Sequence, residues 1–350
     1  MSMVQEATRS AQELEQYLAL VQRAGLDAPW ARPGPLIQSK QTQVQTCVWR
    51  WEEIEPLLKR SADFVAPGQG TERRILRLAN PGVPERTSTH TLSVAVQYLL
   101  PGEVAPAHSH SPNALRFMMR GQGAYTTVEG DKCLMKPGDL VLTPTPMLHD
   151  HGNEGSEPVI WFDGLDSPIV RYLEVLTLQR HDEEQQPVGK LVGLSERCFG
   201  TAGLRPVRVS ADVRPGRLIH YRWQAAYAAL LQLAEVEANP FEDVILEYVD
   251  PTTGRSIFPT MGCYLQMVRP GVHTRAHRQT SSAVYHVVRG AGHTVIDGVR
   301  YEWKTGDFFV VPPSARHEHA NEATDPAILF SLQDVPLLRA LGLYREEDLA

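Results

Sequence analysis

With 350 residues, 42% of them hydrophobic and 21% charged, the chain has the composition of a globular protein long enough to bury two cores. A net charge of −7, spread along the sequence, argues against a nucleic-acid partner. No apolar run approaches the roughly 18–20 residues of a membrane span, and the polar, acidic start MSMVQEATRSAQELEQ is not a signal peptide, so no membrane partner is expected. In chain order, residues 8–25 carry apolar positions at helical spacing and end at Gly25, which predicts a surface helix. Pro29, Pro33 and Pro35 then predict an extended arm, and residues 49–65 a second short helix. Residues 72–82 read as a strand and turn. The next strand alternates, with Ser93, Ala95 and Gln97 on one face and Leu92, Val94, Val96 and Tyr98 on the other. If the small, polar face looks inward, a barrel built on it keeps an open lumen, as a ligand site requires.

The stretch from His108 to Asn153 carries the chemistry. It holds His108-Ser109-His110, the strand-like LRFMMRG, turn signals at Gly121, Gly123, Gly130 and Pro137-Gly138, and then His149-Asp150-His151-Gly152-Asn153. In a strand, residues i and i+2 share a face, so His108 and His110 can aim at one ion, provided His149 comes from a strand beside theirs. Imidazoles suit Fe(II), Zn, Cu and Ni, so the ligand type alone does not name the metal. His151, at i+2 from His149, faces the same cavity, either as a hydrogen-bonding and proton-transferring group or as a fourth ligand.

Strands to about residue 170 complete a first barrel, and residues 171–260 form a connection with a helix ending near Glu237-Ala238-Asn239-Pro240. From Met261 the first pattern returns, offset by about 169 residues. His277 matches His108 and His317 matches His149, but Gln279 stands for His110 and Tyr285 for Arg116. Two histidines and a glutamine make a poor iron site, so the second barrel is expected to be metal-free, with His273, His286, His293 and His319 in structural roles. The expected division is an arm (1–70), a catalytic barrel (71–170), a connection (171–260) and a degenerate barrel (261–345). Cys47, Cys133, Cys198 and Cys263 are far apart with no CxxC pair, which reads as buried thiols of a cytoplasmic protein.

Gly102-(five residues)-His108-x-His110, Gly123, Gly138-(five residues)-Pro144 and His149-(three residues)-Asn153 together resemble the paired cupin motifs. PGEVAPAHSHSPNALRF followed by HDHGNEGSEPVIWFDGLD narrows the resemblance to the gentisate 1,2-dioxygenase family, which includes salicylate and hydroxynaphthoate dioxygenases. The resemblance implies an all-β-dominated bicupin. Two double-stranded β-helix (jelly-roll) barrels would carry an N-terminal helical arm and a helical inter-barrel connection. It implies one Fe(II) per chain on His108, His110 and His149, with an aromatic acid and O2 bound together and the ring opened between its carboxyl-bearing and ortho-hydroxyl-bearing carbons. Arg116, where many cupins carry a metal-binding Glu, would pair with the substrate carboxylate, or alternatively with Asp163. Gln97, His151 and Asp163 would line the substrate site, His151 as the hydrogen-bonding and proton-transferring group rather than a fourth ligand, and Arg73 or Arg74 could reach it from the arm. Family members commonly form tetramers, so a homotetramer is expected. The competing readings are a metal-dependent bicupin decarboxylase or isomerase, and a non-enzymatic binding bicupin. Ser93, Ser111-Pro112-Asn113, Pro146 and Leu148 depart from the gentisate pattern, Ser93, Pro146 and Leu148 by replacing aromatic residues with smaller ones, which points to a substituted salicylate.

Overall fold

The structure, a computed structural model, describes residues 3–34, 41–67, 73–207, 216–236 and 238–349. Residues 1–42 form a unit of their own. Its helix α1 (Met3–Arg23) begins earlier than the apolar spacing predicts but stops where expected. Gly25 takes φ +71°, and the amides of Gly25 and Leu26 return to the Gln22 and Val21 carbonyls. Pro29 opens a single 3-10 turn rather than an extended arm, and Tyr17 packs on Trp30 with ring centroids 6.3 Å apart. Pro35 lies outside the described residues. Among the described residues no helix is long and apolar enough to cross a membrane.

The second unit, residues 43–350, opens with β1 (Val48–Trp49) and α2 (Trp51–Arg60), followed by β2 (Ile75–Arg77). The first barrel runs through β3 (Ser93–Leu99), β4 (Val104–His110), β5 (Ala114–Arg120), β6 (Ala124–Val128), β7 (Asp131–Leu134), β8 (Leu140–Thr143), β9 (His149–Asn153) and β10 (Val159–Leu165). The connection holds α3 (Ser167–Tyr172), β11 (Leu178–Arg180), α4 (Leu194–Phe199), β12 (His220–Tyr221), α5 (Trp223–Val236), β13 (Val244–Glu247) and a hairpin of β14 (Val249–Asp250) with β15 (Arg255–Ser256). The second barrel repeats the first as β16 (Gly262–Val268), β17 (His277–Gln279), β18 (Ala283–Arg289), β19 (Ala291–Ile296), β20 (Val299–Lys304), β21 (Phe308–Val311), β22 (His317–Ala320) and β23 (Ala327–Gln333), closing with α6 (Val335–Ala340) and β24 (Glu346–Asp348).

Each barrel is two antiparallel sheets. The first has the orders β12-β8-β5-β10-β3-β2 and β11-β4-β9-β6-β7, the second β1-β21-β18-β23-β16-β13 and β20-β19-β22-β17-β24. The all-β bicupin expected from the sequence is the fold observed. The flanking segments nevertheless lend strands: β1 of the arm pairs in the second barrel, and β11 and β12 of the connection pair in the first.

The six-stranded sheets meet through the faces turned away from their lumens. Phe117 and Phe162 of the first barrel pack on Phe330 of the second at ring distances of 4.5 and 5.7 Å, and Phe308 lies 5.3 Å from Phe162. All four rings are buried, and burying each is worth about 1.5–3 kcal/mol. His286 is enclosed in the same layer, 4.5 Å from Phe308. Burial there pushes its imidazole down to about 3, although a hydrogen bond with the Asp307 backbone opposes this. The unfolded chain accepts the proton near 6.5 and the fold refuses it until about 3, so this contribution is complete above pH 6.5 and is lost as pH falls. By about pH 5 the loss is about 2 kcal/mol. We predict that His286→Leu shrinks the stability difference between about pH 7.5 and about pH 5 by that amount in urea titrations. An unchanged acid sensitivity would contradict the enclosure of a neutral ring.

Two turns fix the helices. Asp139, after Gly138, accepts the amide of Trp223 at the start of α5 at 2.8 Å, and Asp307, after Gly306, accepts that of Trp51 at the start of α2 at 2.8 Å. A Cβ on Gly138 would sit 2.4 Å from the Trp223 ring and one on Gly306 2.5 Å from Trp51, so only glycine lets each indole lie on its turn. The body of α2 lies beside β2 and β3, and that of α5 beside β13 and β16.

Candidate metal centre

β4 and β9 are neighbours, with His108 directly opposite His149. His110, two residues on, shares the face of His108, and the ring centroids of His149 lie 4.4 and 4.7 Å from those of His108 and His110. Each ring is locked by a backbone carbonyl: Nδ1 of His108, His110 and His149 lies 2.7 Å from the carbonyl oxygen of Pro106, Pro112 and Met147 respectively. A carbonyl can only accept, so each Nδ1 carries the proton and each Nε2 presents its lone pair. The three ligand atoms lie within 4.8 Å of one another, and Nε2 of His110 and His149 has no hydrogen-bond partner among the described residues. Burial, with Arg73 next, pushes His108 down to about 3 and His110 to about 4; burial holds His149 well below the ordinary range. The donors are therefore neutral near pH 7. Buried, deprotonated and convergent, they fit a divalent transition metal.

The remaining predicted residues lie in the same barrel or on the segment leading into β2. His151 is buried on the same face as His149, with Nδ1 3.1 Å from Thr126 Oγ1 and Nε2 unpartnered among the described residues. Its ring centroid lies 5.4 Å from that of His149, and it is not one of the three convergent donors. Burial, then the charge of Arg116, keeps it neutral. Arg116 on β5 stands opposite Asp163 on β10, which stands opposite Ala95 on β3, so the three form one row on the inner face. Arg116 Nε lies 2.7 Å from Asp163 Oδ1, Nη1 lies 3.4 Å from Thr126 Oγ1, and Nη2 is unpartnered among the described residues. Burial pushes the guanidinium down to about 10, with Asp163 opposing, and it remains a cation near neutral pH. The alternative pairing of Arg116 with Asp163 is thus present, with one edge of the fork still free.

Gln97 is fully buried, and both its amide atoms are unpartnered among the described residues. It stands opposite Trp161 in the register, which puts it on the inner row predicted from the alternation of its strand. The two arginines of the arm separate. Arg73 Nη2 contacts His108 Nε2 and Nη1 lies 3.6 Å from Asp163 Oδ2, whereas Arg74 is spent on a two-pronged pair with Glu103 at 2.7 Å. Pro146 is exposed and Leu148 half-buried, so neither is walled into the chamber, while Ser93 is buried on the inner row. Sequence reasoning missed Thr126, which joins Arg116 to His151; its recurrence as Thr294 in the repeat is the signal that could have found it.

The family model described as "Cupin domain" matches residues 95–165 and 264–333. The chain is 40% identical to a 5-aminosalicylate 1,2-dioxygenase from Comamonas sp., over 87% of this chain and 81% of that one. It is 36% identical to a gentisate 1,2-dioxygenase from Streptomyces sp., over 95% and 94%. The solved structure of salicylate 1,2-dioxygenase from Pseudoaminobacter salicylatoxidans with gentisate superposes with a TM-score of 0.86 at 31% identity, covering 96% of this chain and 94% of that one.

Proposed function

The chain belongs to the gentisate and salicylate family of ring-cleaving 1,2-dioxygenases, and from that membership we propose that it opens a 5-substituted salicylate, using Fe(II) held by His108, His110 and His149. The observation that carries this reading is the convergence of three lone pairs from neutral, buried imidazoles. Bound iron would supply a place for O2 beside the substrate and a route for electrons between them. The chain's own residues do the rest. The free Nη2 of Arg116 can donate to the substrate carboxylate, while Asp163 holds the guanidinium in place and offsets part of its charge. His151 Nε2 is positioned to take the proton of the ortho hydroxyl. Burial, with the charge of Arg116 next, keeps it a free base at rest, and an arriving anionic acid that offsets that charge raises its basicity. Gln97 offers an amide to a ring substituent.

The test is anaerobic Fe(II) loading followed by oxygen uptake with gentisate, salicylate and 5-aminosalicylate. Uptake is expected to be fastest with a 5-substituted acid, and no uptake with any of them would refute the assignment. For Arg116→Lys, loss of the fork's charge-assisted bonds, about 1.5–3 kcal/mol, predicts a KM for carboxylated substrates higher by roughly 10–100-fold. An unchanged KM would remove Arg116 from carboxylate binding.

We also take the chain to be a cytoplasmic homotetramer divided as the sequence suggests, into an arm, two barrels and a connection. The four cysteines, unpaired among the described residues, support a reducing compartment. Tyr172, Leu173, Val175, Leu176 and Leu178, all exposed, support assembly with further copies. Sedimentation velocity on the iron-loaded protein reads the assembly, and a monomer would exclude it.

A further inference from the structure

We propose that the second barrel holds its own divalent first-row transition metal, bound by Glu242, His277 and His317. The expectation of a metal-free barrel rested on Gln279 in the place of His110. That glutamine is committed elsewhere: its Nε2 donates to Gln333 Oε1 and its Oε1 accepts from Tyr344, each at 3.1 Å. The third donor comes instead from the connection. Glu242 Oε1 lies 3.1 Å from His277 Nε2, and one ligand atom each of Glu242, His277 and His317 falls within 4.8 Å of the others. His277 and His317 stand opposite each other on β17 and β22, with ring centroids 4.3 Å apart. His317 repeats the lock of His149: its Nδ1 lies 3.1 Å from the Ala315 carbonyl oxygen, and its buried Nε2 has no partner among the described residues. Gln266 Nε2 donates to the carboxylate of Glu242 at 2.7 Å and to its backbone carbonyl at 2.8 Å, fixing the arm that delivers it.

The two chambers use one device with opposite charge. Arg73 lies two residues before β2, Glu242 two residues before β13, and these edge strands pair with the strands that carry Gln97 and Gln266. The first barrel thereby brings a cation to His108 Nε2 and the second an anion to His277 Nε2. Two imidazoles and a carboxylate on one face form the set found on non-haem Fe(II), and this set also suits Mn(II) and Zn(II). Around it Gln266 Oε1, Tyr285 OH and His319 Nε2 are buried and unpartnered among the described residues, which is the lining of a polar chamber rather than of a core. The Arg116–Asp163 pair has become Tyr285 and Ser331, opposite each other in the register. This chamber therefore lacks the fixed cation that would draw in an aromatic carboxylate, and the ion it holds is completed by water or a small neutral ligand.

The experiment is titration of the chelator-stripped full chain with Mn(II), read by elemental analysis after desalting and by the EPR signal of bound Mn(II). About two equivalents per chain are expected in the wild type and about one in Glu242→Ala, in His317→Ala and in His110→Ala, while the His110→Ala/Glu242→Ala double variant binds at least tenfold more weakly than either single variant. One equivalent in the wild type overturns the proposal. So does retention of two in Glu242→Ala, which would assign the second ion to the group of His273, His293 and Glu322. Circular dichroism and melting curves check the fold of each variant, and the wild-type stoichiometry decides the matter should a variant not fold.

Discussion

His110→Ala is expected to remove the catalytic metal and lower kcat/KM by at least about 10^3-fold. Loss of groups that merely orient a metal ligand costs roughly 10–100-fold, and loss of a ligand should exceed that. His110 supplies one of three donors, and among the described residues no other ligand atom joins that set. His151 has its ring 5.4 Å from His149 and is held by Thr126, and Arg73 brings a cation rather than a lone pair. The variant should keep its fold, because among the described residues the imidazole is bonded only to the Pro112 carbonyl two residues along its own chain. Metal analysis and oxygen uptake on the same preparation check this. A variant retaining a tenth or more of the activity with full metal content would show that the triad is not the catalytic site.

The second large effect concerns stability. Asp163→Ala should destabilise the protein by about 3–5 kcal/mol, because it strands the fully buried Arg116 cation. Arg73, 3.6 Å from Asp163 on its other side, makes the stranded charge worse by adding a second cation with no anion between them. Replacing both partners, as in Arg116→Leu/Asp163→Leu, should restore most of the stability while leaving the protein inactive, since a buried pair can be exchanged for apolar side chains at little net cost. Urea midpoints report the first quantity and oxygen uptake the second. A loss below about 1 kcal/mol in Asp163→Ala would mean that the Arg116 charge is already satisfied elsewhere.

The triad was legible because strand geometry is a period of two, which puts His108 and His110 on one face, and because the spacing to His149 resembles the paired cupin motifs. Gln97 was legible for the same reason. The pairing of Arg116 with Asp163 was visible only as one of two alternatives, since the register of β5 on β10, which sets them opposite, depends on a bulge after Ile160 that no local pattern signals. Glu242 was not legible at all. It lies in the connection, where the sequence has no period to follow, and it reaches His277 because β13 pairs as an edge strand with β16. The choice between Arg73 and Arg74 was equally hidden, since adjacent residues of an extended segment point opposite ways and only the fold decides which way is inward.

Each of the two helices that starts on a glycine–aspartate turn acts as a rivet. α2, from ahead of the first barrel, has its first turn on Asp307 of the second and its body along β2 and β3 of the first. α5 does the reverse, starting on Asp139 and lying along β13 and β16. Severing the polypeptide near residue 238 would therefore not release two self-sufficient halves. The downstream fragment would lose the helix seated on its turn, the upstream one would carry a helix with no bed to lie in, and both would bare the phenylalanine layer. Mixed together, the fragments should find each other and reconstitute one particle, the behaviour of a duplicated unit that has become indivisible.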